Sequence, residues 1–205
     1  MTSKRPADSD KQRTLPAEAD GGTWLPITEI GHPLLHRRCA DVTEFGGGEL
    51  AQLIKDMFFT MHVAGGVGLA ANQVGVDLRL FVYDCPDDTG TRHIGHVLNP
   101  ELVVTGEERI DRREGCLSVP GAASELSRPA GATVSGQDWQ GRPVTVRGTG
   151  LFARCLQHES DHVGGVLYVD RIPAVAERDR VLRQMHDHRA TVYAEREARA
   201  RSLAR

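Results

Sequence analysis

The chain has 205 residues, 40% of them hydrophobic, and a formal charge of -3. That length suits one well-filled core, and so mild a charge gives no reason at whole-chain level to expect DNA or an acidic surface as a partner. No apolar run approaches the roughly 18 residues of a membrane span, the first residues lack a secretory apolar stretch, and four scattered cysteines (Cys39, Cys85, Cys116, Cys155) suit a reducing compartment, so a cytoplasmic protein is expected.

Met1 to Gly22 sets Lys4, Arg5, Lys11 and Arg13 against Asp8, Asp10, Glu18 and Asp20 and is expected to be a disordered polar tail. Trp24 to Val42, broken by Pro26, Gly31 and Pro33, reads as irregular chain wrapping the domain. Leu50, Leu53, Ile54, Met57, Phe58 and Met61 recur every three or four residues, which predicts an amphipathic helix ending near Gly65 and Gly66. The small-residue run Gly66 to Ala71 then reads as a helix cap and turn. Leu78 to Tyr83 and the stretch Val97 to Val104 around Asn99-Pro100 suit strands, and Ala132 to Asp138 with Val144 to Val146 suit a hairpin about Gln140-Gly141.

A second helix is predicted from about Leu151 to Val163, with Leu151, Phe152, Cys155, Leu156 and Val163 on its apolar side and Gly164-Gly165 ending it. Arg178 to Arg205 is rich in Ala and Arg, with a thin stripe of Val181, Met185 and Val192, and reads as a third helix with a frayed end. Without a repeating strand-helix unit, the pattern favours an α+β fold over a doubly wound parallel sheet. Mixed or antiparallel sheets are expected around the second helix, with a C-terminal helix added.

That second helix carries His158-Glu159-Ser160-Asp161-His162, a match to H-E-x-x-H. Two histidines one helical turn apart can reach one metal ion, and the glutamate between them is placed to act as a general base. A catalytic metal normally takes a third protein ligand. The downstream candidates Glu177, His186 and His188 would make a zincin-like metallopeptidase; the upstream candidate is Cys116, within Glu114-Gly115-Cys116-Leu117-Ser118-Val119-Pro120, on a stiff loop or strand end. A metal-stabilised binding module without catalysis is a third reading. Gly66-x-Gly68 lacks the preceding strand and following acidic residue of a nucleotide fingerprint.

Three segments in series, Gly66-Val67-Gly68-Leu69-Ala70-Ala71-Asn72-Gln73, Glu114-Gly115-Cys116-Leu117-Ser118 and Gln157-His158-Glu159-Ser160-Asp161-His162, resemble the signature segments of the peptide deformylases. The similarity runs from about Leu25 to Asp170-Arg171, leaving the tails outside. The resemblance implies a tail over 1–22, a catalytic domain over 23–172 and an Arg/Ala-rich helix and tail over 173–205. It implies removal of the N-formyl group from formylmethionine on nascent polypeptides, with Cys116, His158 and His162 as ligands of one divalent ion, Fe(II) being the expected metal and Zn, Ni or Co able to replace it. Glu159 is then the acid-base group, and the side-chain amide of Gln73 and the backbone N–H of Leu117 are the donors to the formyl oxygen.

By the same resemblance, Gly66, Val67 and Gly68 lie beside the substrate chain, and Leu151 and Cys155 line the methionine pocket, where Arg112 and Arg154 stand at positions that an aliphatic side chain would suit better. Arginine can line such a pocket with its methylene stem while its guanidinium reaches water or Glu114. Glu114 and Asp161 are candidates for holding the ligands from behind. Contact with the ribosome through the Arg-rich C-terminal segment is an expectation from local charge, and a monomer is expected by default.

Overall fold

The structure, a computed structural model, describes residues 14–203. Five strands, β1 (Gly68–Ala70), β2 (Leu80–Pro86), β3 (Arg92–Cys116), β4 (Val119–Gln137) and β5 (Pro143–Thr149), form one antiparallel sheet in sequence order. Three helices pack on it: α1 (Gly48–Val63), α2 (Gly150–Val163) and α3 (Val175–Leu203). The α+β expectation holds, and the sheet is antiparallel throughout rather than mixed.

Strand β2 explains how the layers stack. Successive side chains point to opposite faces, and here both faces are covered: Leu80 and Val82 join Ile54, Met57, Phe58 and Met61 of α1, whereas Phe81 and Tyr83 join Phe152, Cys155 and Leu156 of α2. Burial on both sides is why Leu80 to Tyr83 reads as an apolar run rather than an alternation. Each of these large side chains contributes about 1.5–3 kcal/mol on burial. A third cluster, with Leu35, Val119, Leu126, Leu167, Tyr168 and Val181, joins the far ends of β3 and β4 to α3.

Both predicted helix stops are Schellman motifs, in which a glycine takes the left-handed conformation and the last carbonyls are satisfied. After α1, Gly65 (φ 70°) donates to His62 O at 3.1 Å and Gly66 to Met61 O at 2.9 Å. After α2, Gly165 (φ 82°) donates to His162 O at 3.0 Å and Val166 to Asp161 O at 2.9 Å. These caps fix where the chain leaves each helix, and both exits border the site described below.

Strands β3 and β4 are far longer than the sequence pattern suggests: the outer half of β3 is exposed at nearly every position, and β4 over 121–128 alternates exposed with buried residues, but two of the buried ones, Ser124 and Arg128, are polar. β3 bends as it changes partner from β2 to β4, with register shifts at Leu98/Glu101, Thr105/Arg109 and Gly115/Cys116. At the first shift Asn99 has φ 49°, a conformation that β-carbons disfavour. Its side chain accepts from Val42 N at 2.8 Å and donates to Val42 O at 2.9 Å, so one amide replaces a missing strand partner.

Two boundaries differ from expectation. Residues 1–13 of the expected tail lie outside the described residues, but Ala17–Ala19 forms a 3-10 turn whose Ala19 is buried against α1, so order begins before Gly22. The run after Gly66 contains β1 and a 3-10 turn at Ala71–Val74 rather than a simple cap. Three residues are too few for periodicity to reveal a strand.

Asn99→Ala is expected to cost about 2 kcal/mol, since it orphans a buried backbone donor and acceptor and leaves a β-carbon in the left-handed region. Asn99→Gly removes only the hydrogen bonds and should fall between Ala and wild type. Urea denaturation of the three proteins measures the ranking.

Candidate metal centre

Helix α2 is buried along most of its length, so a polar side chain on it needs a partner or a ligand, and most have one. His158 and His162 lie one turn apart, and their Nε2 atoms approach to 3.2 Å. Cys116 reaches them from the end of β3, with Sγ 3.1 Å from His162 Nε2. The three ligand atoms lie within 4.8 Å of one another. Tetrahedral coordination at metal–N of about 2.0 Å and metal–S of about 2.3 Å gives ligand–ligand edges of roughly 3.3–3.6 Å, close to the two contacts seen. Among the described residues, Glu177, His186 and His188 do not join this cluster. Glu177 instead accepts from Ser124 Oγ at 2.5 Å and pairs with Arg180 at 2.6 Å.

The donor set fits a cation. His158 Nδ1 lies 2.8 Å from the Glu114 carboxylate, which holds the proton on Nδ1 and leaves the Nε2 lone pair facing the cluster. Burial, with His158 beside it, holds His162 well below the usual imidazole range and therefore neutral. Two imidazoles and a sulfur directed at one point repel one another unless a positive ion sits between them.

Glu114 does more than hold one histidine. Arg128 donates to it from Nε at 3.1 Å and Nη2 at 2.6 Å, and Arg154 from Nη1 at 2.7 Å. Arg128 continues to Asp161 Oδ2 at 2.6 Å, and Arg171 closes on the same carboxylate. Burial alone would raise the Glu114 carboxyl, but the hydrogen bonds from His158 and Arg128 and the charge of Arg128 outweigh it and hold the group far below the ordinary carboxylate range.

On the other side of the cluster, Gln73 is locked in one orientation. Its Oε1 accepts from Ala70 N at 2.9 Å, which directs Nε2 to Ser118 Oγ at 3.1 Å and to Cys116 Sγ at 3.5 Å. Ser118 N also donates to Cys116 Sγ at 3.4 Å. Glu159 lies beside the pair of histidines. Burial pushes its carboxyl up to about 7, against the pull of His158 and with Glu114 and Asp161 adding to the rise, and Oε2 has no hydrogen-bond partner. A β-carbon on Gly68 would run into that carboxylate, 2.7 Å from Cδ and 2.8 Å from Cγ. Gly68 is therefore required for space, not for an unusual dihedral.

These groups line a cleft of about 420 Å³. Gly66, Val67, Gly68, Gln73, Glu114, Cys116, Leu117, Leu151, Cys155, His158 and Glu159 all border it, which brings nearly every sequence-predicted site residue to one place; His162 completes the cluster behind them. Arg154 borders the cleft with its guanidinium turned to Glu114, as its methylene stem allows. Arg112 does not. It faces Asp88, at 2.9 Å, and its neighbour Arg113 lines the cleft instead.

The family model for polypeptide deformylase matches residues 24–178. The chain is 52% identical to peptide deformylase 1 of Streptomyces avermitilis over 204 residues, covering 88% of this chain and 94% of that protein. It is 55% identical to peptide deformylase 2 of Streptomyces coelicolor over 164 residues, covering 80% and 90%. A crystal structure of peptide deformylase from Ehrlichia chaffeensis superposes with a TM-score of 0.75 at 31% identity, covering 82% of this chain and 98% of that one. The chain belongs to the peptide deformylase family. Within that family frame, the signature segments of this chain supply the cleft groups, while Arg128, Ser118, Val192 and Arg196 were not anticipated. Arg128 becomes visible only through the β3/β4 register, in which Ile110 faces Arg128; Val192 and Arg196 belong to α3, expected to be solvated, which in fact borders the cleft.

Gly68→Ala should lower turnover by about 100-fold, because it pushes the Glu159 carboxylate aside and a displacement of about 1 Å within a reacting site is enough for such a loss, with metal content unchanged. Glu114→Gln should destabilise the fold by about 3–5 kcal/mol through unpaired buried arginines. Glu114 has a depressed folded-state value, so its stabilisation is complete above about pH 4.5 and is lost as pH falls below it. Denaturant midpoints from pH 7 to pH 3 should therefore fall more steeply for wild type than for the variant.

Proposed function

We propose that this cleft hydrolyses the formamide at the N-terminus of formylmethionyl nascent polypeptides, releasing formate and a free amine. The observation that carries the reading is the placement of Cys116, a thiol from a hairpin end, against the two α2 histidines and beside Glu159. A downstream-ligand metallopeptidase would have no use for that sulfur. Cys116, His158 and His162 would hold a divalent ion, which would supply a Lewis acid and make a nucleophilic water more acidic. Fe(II) is our assignment for that ion from the family, with Zn, Ni or Co as substitutes, since two imidazoles and a thiolate suit all four.

The chain's own groups account for the remaining steps. Glu159, poised near neutrality, takes a proton from the attacking water and returns one to the departing amine, a transfer worth about 10²–10⁴ in rate. Negative charge gathers on the formyl oxygen, where the Gln73 amide and the Leu117 N–H are the donors, held before the substrate arrives. Gln73 cannot rotate without breaking its bond from Ala70, so its donor stays aimed at the cleft. Strand β1 lies at the sheet edge, and Gly66 to Gly68 border the cleft beside it. An extended polypeptide adds there as a further strand, with its methionine side chain directed to Val67, Leu151, Cys155 and the Arg154 stem.

The catalytic unit on this reading is 23–172, with 173–205 appended. Contact of that segment with the ribosome is kept outside the proposal: α3 balances its seven arginines with five acidic residues, and Arg180, Arg189 and Arg196 are engaged within the fold. No helix among the described residues is long and apolar enough to cross a membrane. A cytoplasmic monomer is the working assignment, in keeping with a substrate that emerges from the ribosome.

Anaerobically prepared protein should deformylate formyl-Met-Ala-Ser and leave an internal-peptide substrate intact; cleavage of the internal bond instead would favour the peptidase. Cys116→Ser should lose metal or change its coordination, seen by elemental analysis and the spectrum of the Co(II) form. Glu159→Ala should keep the metal and lose on the order of 1,000-fold in kcat.

A further inference from the structure

The turn that presents Leu117 is one the hairpin itself does not favour. Cys116 pairs with Val119, so Leu117 and Ser118 are the two central residues of a two-residue β-hairpin loop. Such loops prefer the primed turn types, which need a positive φ, yet among the described non-glycine residues only Asn99 has one. The register shift at Gly115/Cys116 absorbs part of the mismatch. What fixes the remainder comes from outside the hairpin.

One of those supports reaches in from α3. Arg196 is buried, and both Nη1 and Nη2 donate to Leu117 O at 3.2 Å. The same peptide unit, on its other side, donates Ser118 N–H to Cys116 Sγ at 3.4 Å. A positive charge, a peptide dipole and the sulfur are thus arranged in series. The helix is anchored for this by Arg189 on Glu29 at 3.0 Å and by the Tyr193 hydroxyl on Ile27 O at 3.3 Å, while Ser118 O accepts from Ile30 N at 2.9 Å. Arg196 also stacks over the Tyr193 ring at 5.6 Å.

We propose that Arg196 is a positioning residue of the deformylation site, holding the Leu117–Ser118 peptide so that Leu117 N–H faces the formyl oxygen and Ser118 N–H stays on the Cys116 sulfur. The guanidinium touches neither substrate nor metal. Its action is on the turn: clamping Leu117 O restrains ψ of Leu117 and, within a two-residue turn closed by the Cys116–Val119 pair, thereby limits the direction of the Leu117 N–H, and polarising the peptide strengthens the hydrogen bond to the sulfur. The C-terminal helix is on this view part of the active site's frame. The inference rests on the function proposed above, in which Leu117 N–H is a donor to the formyl oxygen.

The test compares wild type, Arg196→Met, Arg196→Lys and the exposed-site control Arg201→Gln, each as metal-loaded full-length protein. Arg196→Met should lower kcat on formyl-Met-Ala-Ser by about 10-fold, with KM within two-fold. That is less than the 10²–10³ typical of losing an oxyanion donor outright, because the N–H is misaimed rather than removed. In the Co(II) form its sulfur-to-metal charge-transfer band should move to lower energy, since a weaker hydrogen bond leaves the sulfur electrons less stabilised. Arg196→Lys should recover part of both effects, and Arg201→Gln should match wild type. An Arg196→Met protein with wild-type kcat and an unmoved band overturns the proposal. So does a kcat loss with the band unmoved and no recovery by lysine, which marks a general structural role. If Arg196→Met does not fold, Arg196→Lys decides alone: kcat and band both intermediate support the proposal, and both unchanged overturn it. Wild type that fails to deformylate the peptide would remove the underlying reading instead.

Discussion

The buried carboxylate of Glu114 is the constraint on which the rest of the site depends. It faces three cationic or proton-donating groups, His158, Arg128 and Arg154, brought from α2 and β4. A carboxylate removed from water costs several kcal/mol unless its lone pairs are satisfied, and here each oxygen is. The arrangement is stable only while all three donors are in place, so it fixes the ring of His158, the depth of α2 against the long β3–β4 arm, and the stem of Arg154 along the cleft. Arg128 passes the constraint on to Asp161 one turn further, and Arg171 seals it near the surface. The pair of histidines is thus oriented by charge as well as by helical spacing.

The same logic assigns opposite states to two neighbouring glutamates. Glu114 is surrounded by donors and stays ionised, whereas Glu159, as deeply buried, has an oxygen without a partner and titrates near neutrality. Acid-base work needs a group of the second kind, and a ligand support needs one of the first. Separation of the two is achieved by which side of α2 the arginines approach. Gly68 completes it, since any side chain there would occupy the volume of the Glu159 carboxylate.

Much of this was legible in the sequence, and the divide follows the range of the interactions. Helix spacing put His158, Glu159 and His162 together, glycine pairs marked the ends of α1 and α2, and Cys116 offered a thiolate ligand that the nearby Gly115 and Pro120 suit to a stiff loop or strand end. Those are local signals. Arg128 and Arg196 act across 14 and 79 residues of sequence on Glu114 and Leu117, and no periodicity reports such separations. Arg112 was assigned to the pocket by position, but the bend in β3 turns it to Asp88. The outer arm of β3 and β4 was illegible for a related reason: β3 there is exposed at nearly every position, and β4 buries the polar Ser124 and Arg128 in its alternation, so apolar residues do not mark the covered face.

Helix α3 shows how a segment with only a thin apolar stripe comes to dock. Val181 and Arg196 are its buried residues, and one of these is charged. Apolar burial alone would leave so polar a helix weakly held, so its position must be set by directional contacts, and those found are with backbone carbonyls of Ile27, Val63 and Leu117 and with Glu29. Ile27 and Leu117 flank the same corner of the cleft, because Thr28 N binds Gln73 O at 2.8 Å and Ile30 N binds Ser118 O at 2.9 Å. The irregular segment between Trp24 and Val42 is therefore a spacer that ties the Gln73 turn, the Leu117 turn and α3 into one unit. Donors to a developing oxyanion must be immobile to within a fraction of an ångström. On the proposed reading the Gln73 turn and the Leu117 turn each carry one such donor, and the polar helix α3 and the hydrogen-bonded strap converge behind them to hold both in place.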